Sequence, residues 1–161
     1  MRTCTATDLA VAGAGEVRST DGSLGDWVSR ISLRDTSGSG CRLDGWPGLE
    51  FFGEAGISIC VSPGVGPSCA PPPDHTTPQP VSVTRTGTPR DIVLRPGATT
   101  VFAMLWTLGW GDFCTSSKPL IEPYGVRIRV PGDSRPLTQL LGTTEDMQIC
   151  GQEVQVTAFG A

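Results

Sequence analysis

The sequence predicts an all-β sandwich, and three observations support this fold class. Its 21 glycines and 14 prolines interrupt the 161 residues every 8–15 positions, which is the spacing of short strands joined by turns. The segments between them are short and rich in β-branched residues. No window of about 11 residues has apolar side chains at helical spacing. Since the hydrophobic fraction of 38 % fills one core but not two, we expect a single domain over residues 1–161.

Each predicted strand is a short apolar or alternating run between turn residues. Residues 99–106 form the most apolar run, so we expect a central strand that is covered on both faces. Val126, Ile128 and Val130 alternate with two arginines and should face inward. The predicted strands are residues 8–12, 27–34, 48–52, 56–61, 81–85, 91–94, 99–106, 125–130 and 153–157.

Residues 62–80 break the strand pattern, because they contain seven of the prolines, including Pro71, Pro72 and Pro73. We expect a proline-rich loop insertion whose second half is extended, polyproline-like and exposed. A connection of this length is uncommon unless it is functional or disordered, and both alternatives stay open. Just before it, strands 48–52 and 56–61 should form a hairpin that turns at residues 53–55.

Six cysteines at wide separations are typical of disulfides, and they indicate an oxidising, extracytoplasmic compartment. Zinc is the rival interpretation, but no two cysteines have the close spacing of zinc ligands, and His75 is the one histidine. Six cysteines allow 15 connectivities. We favour the nearest-neighbour set because it needs no crossed threading: Cys4–Cys41, Cys60–Cys69 and Cys114–Cys150.

The net charge and the hydropathy of the sequence argue against two classes of partner, nucleic acids and the membrane interior. With 12 basic and 16 acidic residues, the net charge is −4, which makes nucleic acid a poor candidate. No apolar stretch approaches the roughly 18–20 residues that span a membrane. The first residues lack the apolar core of a signal peptide. We therefore expect a mature fragment of a secreted protein with an added Met1, and a lipid anchor in the precursor stays open.

Several short strings resemble a known family. Cys4 precedes an apolar strand, and the string CRLDGWPG at residues 41–48 follows a turn at residues 35–37. LRPG at residues 94–97 precedes the apolar strand, and a late Cys-Gly pair at residues 150–151 leads into the last strand. The chain resembles a domain of unknown function that occurs in secreted proteins and lipoproteins of actinobacteria. The resemblance covers nearly the whole chain, and residues 41–48 are its most specific part.

The resemblance implies an immunoglobulin-like antiparallel β-sandwich with two disulfides and no assigned activity. The cysteines that match are Cys4, Cys41, Cys114 and Cys150. The chain departs from the pattern in two places. Asp35 replaces the asparagine of the turn, and a further cysteine pair accompanies the proline-rich loop. With this pair, the predicted fold is a sandwich stapled by three disulfides.

No residue pattern indicates catalysis, a cofactor or a metal. His75 lies in the proline-rich loop, away from the rigid Asp–His pair that a catalytic triad needs. The sequence has no Gly-x-Ser-x-Gly string. The Gly13-Ala14-Gly15 string lacks the rest of a dinucleotide fingerprint and is predicted to be a flexible turn. Of the two carboxylate pairs that a glycosidase could use, Glu145 and Asp146 would point to opposite faces of a strand, and Glu50 and Glu54 are predicted to be solvated charges.

The four tryptophans are more informative than the carboxylates. We expect Trp27 and Trp106 in the core, because both fall in predicted strands. Trp46 belongs to the family string and should pack near the first disulfide. Trp110 lies in a glycine-flanked loop before Cys114, where an indole either stacks on a ligand or folds back over the sandwich.

We expect a secreted, non-catalytic adaptor that docks onto another extracellular protein. A second hypothesis is a carbohydrate- or cell-wall-binding module that uses Trp110, Phe113 and Tyr124. A third is a protease inhibitor that presents residues 61–68, which their prolines and glycines make a poor substrate mimic. The candidate partner-binding residues are Pro71, Pro72, Pro73, His75, Trp110 and Phe113.

Overall fold

The computed structural model describes residues 1–14, 18–19, 26–54, 74–107, 120–141, 147, 149–150 and 153–160. These residues form one 3₁₀ helix, η1 (Ala6–Asp8), and otherwise strands and turns. The strands are β1 (Leu9–Ala14), β2 (Arg18–Ser19), β3 (Asp26–Asp35), β4 (Cys41–Leu43), β5 (Gly48–Glu54), β6 (Ser82–Thr86), β7 (Ile92–Leu94), β8 (Thr99–Thr107), β9 (Leu120–Ile121), β10 (Pro123–Arg129), β11 (Leu137–Leu140), β12 (Ile149–Cys150) and β13 (Glu153–Thr157). The described part of the chain holds no helix long and apolar enough to cross a membrane.

The larger sheet has the order β1-β3-β8-β13-β6, with β2 paired to β3. β3 and β8 form its longest ladder, from Asp26 opposite Thr107 to Arg34 opposite Thr99. β8 is therefore central, as predicted. Its inner face is fully covered at Phe102 and Met104, whereas the outer face is only partly covered, so the prediction of two covered faces holds in part.

The second sheet has the order β11-β10-β5, and two small sheets pair β12 with β9 and β4 with β7. Both sheets contribute side chains to one core cluster. Ile31, Phe102 and Val154 come from the larger sheet, and Phe51 and Val126 come from the smaller one; each of these five side chains is at most 1 % exposed. The inward alternation predicted for β10 is confirmed. The described residues are thus nearly all β, in several sheets around a shared core.

The Cys4–Cys41 disulfide is confirmed, and it lies within the core. It joins the N-terminal segment to β4, where the Cys4 N–H donates to the Arg42 carbonyl at 2.9 Å and the Arg42 N–H donates to the Arg2 carbonyl at 2.9 Å. Cys60, Cys69, Cys114 and the side chain of Cys150 lie outside the described residues. The other two predicted disulfides therefore stay predictions.

Most predicted strands appear with shifted ends, and β13 has the predicted bounds. Sequence reasoning missed the short strands β2, β4, β9, β11 and β12, which have two to four residues each. The predicted turn at residues 53–55 is wrong at its first two positions, because β5 continues through Gly53 and Glu54. The predicted partner strand 56–61 lies outside the described residues. Gly13 and Ala14 form no turn, since they belong to β1 after a bulge.

Candidate functional site

The segment that follows the prolines is an ordered turn organised by Asp74. Asp74 Oδ1 accepts hydrogen bonds from the Thr76 N–H at 2.8 Å, the Thr76 hydroxyl at 3.0 Å and the Thr77 N–H at 3.2 Å. The Thr77 hydroxyl donates to Oδ2. These donors, the Thr77 hydroxyl foremost, hold the pKa of the Asp74 carboxyl well below its usual range. An aspartate that accepts a hydrogen bond from the backbone N–H two residues ahead commonly organises such a turn.

Backbone hydrogen bonds fasten this turn to β5. The Gly53 N–H donates to the Thr77 carbonyl at 2.7 Å, and the Glu54 N–H donates to the Asp74 carbonyl at 2.6 Å. The Gln79 N–H donates to the Phe51 carbonyl at 2.8 Å. The prediction of an extended segment is therefore wrong for residues 75–77, which form a bend, whereas exposure is confirmed for residues 74–78.

His75 lies flat against Tyr124. The two ring centroids are 3.8 Å apart and the ring planes differ by 4°. The Tyr124 and Phe52 rings are arranged edge to face with their centroids 6.3 Å apart, and the Arg127 guanidinium lies 4.2 Å from the Phe52 ring centre. We call these four residues, His75, Tyr124, Phe52 and Arg127, the His75 platform. Its outermost member, His75, is exposed, whereas Phe52 at its base is 5 % exposed.

Two glycines make the close packing of the platform possible. A Cβ at Gly53 would lie 2.8 Å from the His75 Cα, and Gly53 has a φ of 68° that suits glycine. A Cβ at Gly125 would lie 2.8 Å from Phe52 Cε1, so the bare backbone of β10 lets the Phe52 ring lie across it. The platform is therefore built by β5, β10 and the Asp74 turn together.

The family model for a domain of unknown function, DUF4232, matches residues 4–160. The chain belongs to the DUF4232 family. No curated protein and no solved structure matches this DUF4232 chain. The match spans the cysteines, the 41–48 string and the late Cys-Gly pair on which the resemblance rested, and it attaches no chemistry to them.

The structure of this DUF4232 domain brings together two residues that belonged to different sequence hypotheses. His75 was a candidate for protein docking and Tyr124 for sugar stacking, and they form one contact. The other candidate residues lie outside the described residues: Pro71, Pro72, Pro73, Trp110 and Phe113.

The remaining tryptophans have structural surroundings in the DUF4232 fold. Trp27 and Trp106 are direct cross-strand partners, with Trp106 buried and Trp27 half-buried against the core, which confirms the prediction. Their indole N–H groups are buried and have no hydrogen-bond partner among the residues that the structure describes. Trp46 packs against the core, and its N–H donates to the Thr86 carbonyl at 2.9 Å.

The structure describes one of the two carboxylate pairs that the sequence offered, Glu50 with Glu54. Glu50 is ion-paired with Arg127 at 2.8 Å and its side chain is 37 % exposed, so it is a partly solvated charge that also has a partner. Glu54 is exposed, and residues 145–146 lie outside the described residues. Among the residues that the structure describes, no three His, Cys, Asp or Glu side chains are close enough to hold a metal ion.

Sequence reasoning missed a buried carboxylate, Asp8. Its two oxygens accept from both terminal nitrogens of Arg2 at 2.7 and 2.8 Å, and Oδ2 also accepts from the Thr5 N–H at 2.7 Å and the Thr5 hydroxyl at 2.8 Å. Hydrogen bonding by Arg2 is the main reason that the pKa of Asp8 is well below its usual range. This network fixes the N-terminal segment next to the disulfide and is structural in character.

Proposed function

We propose that this DUF4232 domain is a secreted, non-catalytic interaction module that docks onto another extracellular protein through the His75 platform. The observation that carries the proposal is the stack of an exposed His75 on Tyr124, held in place by the Asp74 turn.

The main support is preorganisation. A binding surface loses less conformational entropy when its side chains and backbone are already fixed in the bound geometry. Here the turn is fastened to β5 by backbone hydrogen bonds, and the His75 ring is fixed by stacking. Pro71, Pro72 and Pro73 directly precede the turn in the sequence, and their restricted φ angles would reduce the entropy cost of including them in the same interface.

The chemistry of the platform is also that of an interface centre. Tyrosine and arginine are enriched among the residues that dominate binding energies between proteins. Arg127 stays half-exposed although it contacts both Phe52 and Glu50. A partner that covers the His75 ring would remove its exposed apolar surface from water. Phe52 beneath it is already buried, so the platform would not need to repack on binding.

The wider assignment to an immunoglobulin-like sandwich is part of the same proposal. In that fold, strands A, B and E lie side by side in one sheet and C, F and G in the other. The orders β1-β3-β8 and β5-β10-β11 reproduce both sets. β6 would then be strand D, which runs antiparallel to strand E, here β8. The last strand β13 lies between β8 and β6 and is antiparallel to β8, so it runs parallel to β6.

An extracytoplasmic location, in an actinobacterial secreted protein or lipoprotein, completes the proposal. The Cys4–Cys41 disulfide supports it, because buried disulfides persist in oxidising compartments.

The carbohydrate- or cell-wall-binding alternative receives less support at Tyr124. A sugar that stacks on this ring would compete with His75, which already covers one face at a centroid distance of 3.8 Å. Trp110 and Phe113, the other residues of that hypothesis, lie outside the described residues. The protease-inhibitor hypothesis concerns residues 61–68, which also lie outside them.

The proposal is tested by affinity capture from the native extracellular fraction with the parent protein and with the His75→Ala/Tyr124→Ala variant. We expect a partner that the parent protein captures and the double variant loses by at least about ten-fold. Thr99→Ala, at an exposed position on β8, is the matched control and should capture the partner as the parent does. Equal capture by all three proteins would contradict the proposal.

A further inference from the structure

A cleft of about 440 Å³ lies beside Trp46. It is separate from the His75 platform and shares no residue with it. One strand end and three connections build it: the end of β6, the link between β4 and β5, the link between β6 and β7, and the turn after β10. Its volume falls in the range of small-ligand sites, roughly 300–1,000 Å³. The lining residues are Asp44, Gly45, Trp46, Arg85, Pro89, Arg90, Asp91 and Pro131.

The floor of the cleft is fixed before any ligand arrives. The Trp46 indole N–H donates to the Thr86 carbonyl at 2.9 Å, and the Phe159 N–H donates to the Gly45 carbonyl at 3.1 Å. The guanidinium of Arg85 lies 5.4 Å from the centre of the Trp46 ring, a cation–π geometry. Two prolines complete the wall, so the cleft combines rigid apolar surface with charged groups.

The charges that remain available in the cleft are unequal. Asp91 is ion-paired with Arg42. In the part of the chain that the structure describes, Arg85 and Arg90 have no carboxylate partner, and Asp44 has neither an ion pair nor a hydrogen bond. The whole protein has a net charge of −4, yet the unpaired arginines of the cleft outnumber its unpaired carboxylate. The lining therefore offers a ligand two available guanidinium groups and one available carboxylate.

We propose that this cleft binds an acidic saccharide, that is, a carboxylate carried on a hydroxylated sugar ring such as a uronic acid. Arg85 and Arg90 would bind the carboxylate, because guanidinium groups match its two oxygens. Asp44 accepts hydrogen bonds from ring hydroxyls, and its charge disfavours a dianionic phosphate. Pro89 and Pro131 pack against the C–H faces of the sugar ring, and Trp46 holds the Arg85 guanidinium in place through the cation–π contact. This inference does not rest on the proposed docking function.

Isothermal titration of the parent protein with D-glucuronate, methyl glucoside, acetate and glucose 6-phosphate tests the ligand class. We expect D-glucuronate to bind at least about ten-fold more tightly than each of the other three. Equal binding of the neutral glucoside, of acetate or of the sugar phosphate would overturn the proposal, as would the absence of glucuronate binding at millimolar concentration.

Variants place the binding in the cleft. Arg85→Gln, Arg90→Gln and Asp44→Asn should each weaken glucuronate binding by about five-fold or more. Arg30→Gln is the matched control, because Arg30 is an exposed arginine on β3 that does not line the cleft. It should change binding less than two-fold, and an effect as large as that of Arg85→Gln would overturn the assignment. Near-ultraviolet circular dichroism, which reports on tryptophan packing, verifies that every variant remains folded.

Discussion

At the scale of single residues, two glycines with similar backbone angles occupy different surroundings. Gly53 and Gly132 have φ angles of 68° and 86°, which residues other than glycine rarely adopt. A Cβ at Gly53 would approach the His75 backbone at 2.8 Å, whereas a Cβ at Gly132 would meet nothing within 4 Å. Alanine at Gly132 therefore measures the free-energy cost of the backbone angle alone. Alanine at Gly53 adds the cost of the clash with the His75 backbone.

We predict that Gly132→Ala lowers the free energy of unfolding by about 1–2 kcal/mol, the cost of a left-handed residue. Gly53→Ala should lose roughly 1–3 kcal/mol more, because the added methyl group displaces the turn. Urea denaturation measures both values. Equal losses for the two variants would show that the turn is not packed on Gly53 as described.

The Asp8 carboxylate gives a pH-dependent prediction. Because its pKa is lower in the folded than in the unfolded state, it stabilises the fold above the ordinary aspartate pKa of about 4. That contribution is lost as the pH falls below this value. The free energy of unfolding of Asp8→Asn should therefore fall less steeply between about pH 4 and pH 2 than that of the parent protein.

Arg2→Gln provides the check on this assignment, because Arg2 is the main cause of the lowered pKa of Asp8. The Arg2→Gln/Asp8→Asn double variant should show no pH dependence beyond that of Asp8→Asn alone. Parallel pH profiles for the parent protein and Asp8→Asn would contradict the network.

At the scale of elements, the Cys4–Cys41 disulfide should be the largest single constraint on the described chain. It links residues 37 apart in the sequence, a loop whose closure is worth about 4 kcal/mol in the chain-entropy model. We predict that the Cys4→Ala/Cys41→Ala variant loses stability of that order in urea denaturation. A loss below about 1 kcal/mol would contradict a role for the disulfide in holding the N-terminal segment.

Peptide mapping without reduction extends this prediction to the other cysteines. We expect Cys60–Cys69 and Cys114–Cys150 beside the established pair. A link from Cys60 to Cys114 or Cys150, or free thiols at these positions, would show that the nearest-neighbour pairing fails outside the described residues.

The element scale also shows what local patterns can predict. β8, β10 and β13 were predictable because each carries a clear apolar or alternating run. β4 was not, because three residues carry no period, and its strand character comes from pairing with β7 and from the bonds to the N-terminal segment. The attachment of the Asp74 turn to β5 was missed for a similar reason, since prolines in the sequence outweighed the Asp-x-Thr-Thr turn pattern.

At the scale of the whole molecule, both candidate sites arise from contacts between residues that are distant in the sequence. His75 meets Tyr124, and Trp46 meets Arg85, and no sequence pattern links either pair. The parallel pairing of β6 with β13 is likewise a property of the complete sheet. The sequence therefore predicted an all-β chain with a disulfide and offered His75 as a candidate for partner binding, whereas the surface around His75 needed the folded chain.

The most direct test of the docking function is amide hydrogen exchange of the protein, free and with its captured partner. If the His75 platform is the interface, the complex should protect amides in residues 50–54, 74–79 and 123–127 by at least about ten-fold, while β6 and β7 exchange as in the free protein. Protection confined to the Trp46 cleft, or to β1 and β3, would contradict the central claim that this DUF4232 domain docks through His75 and Tyr124.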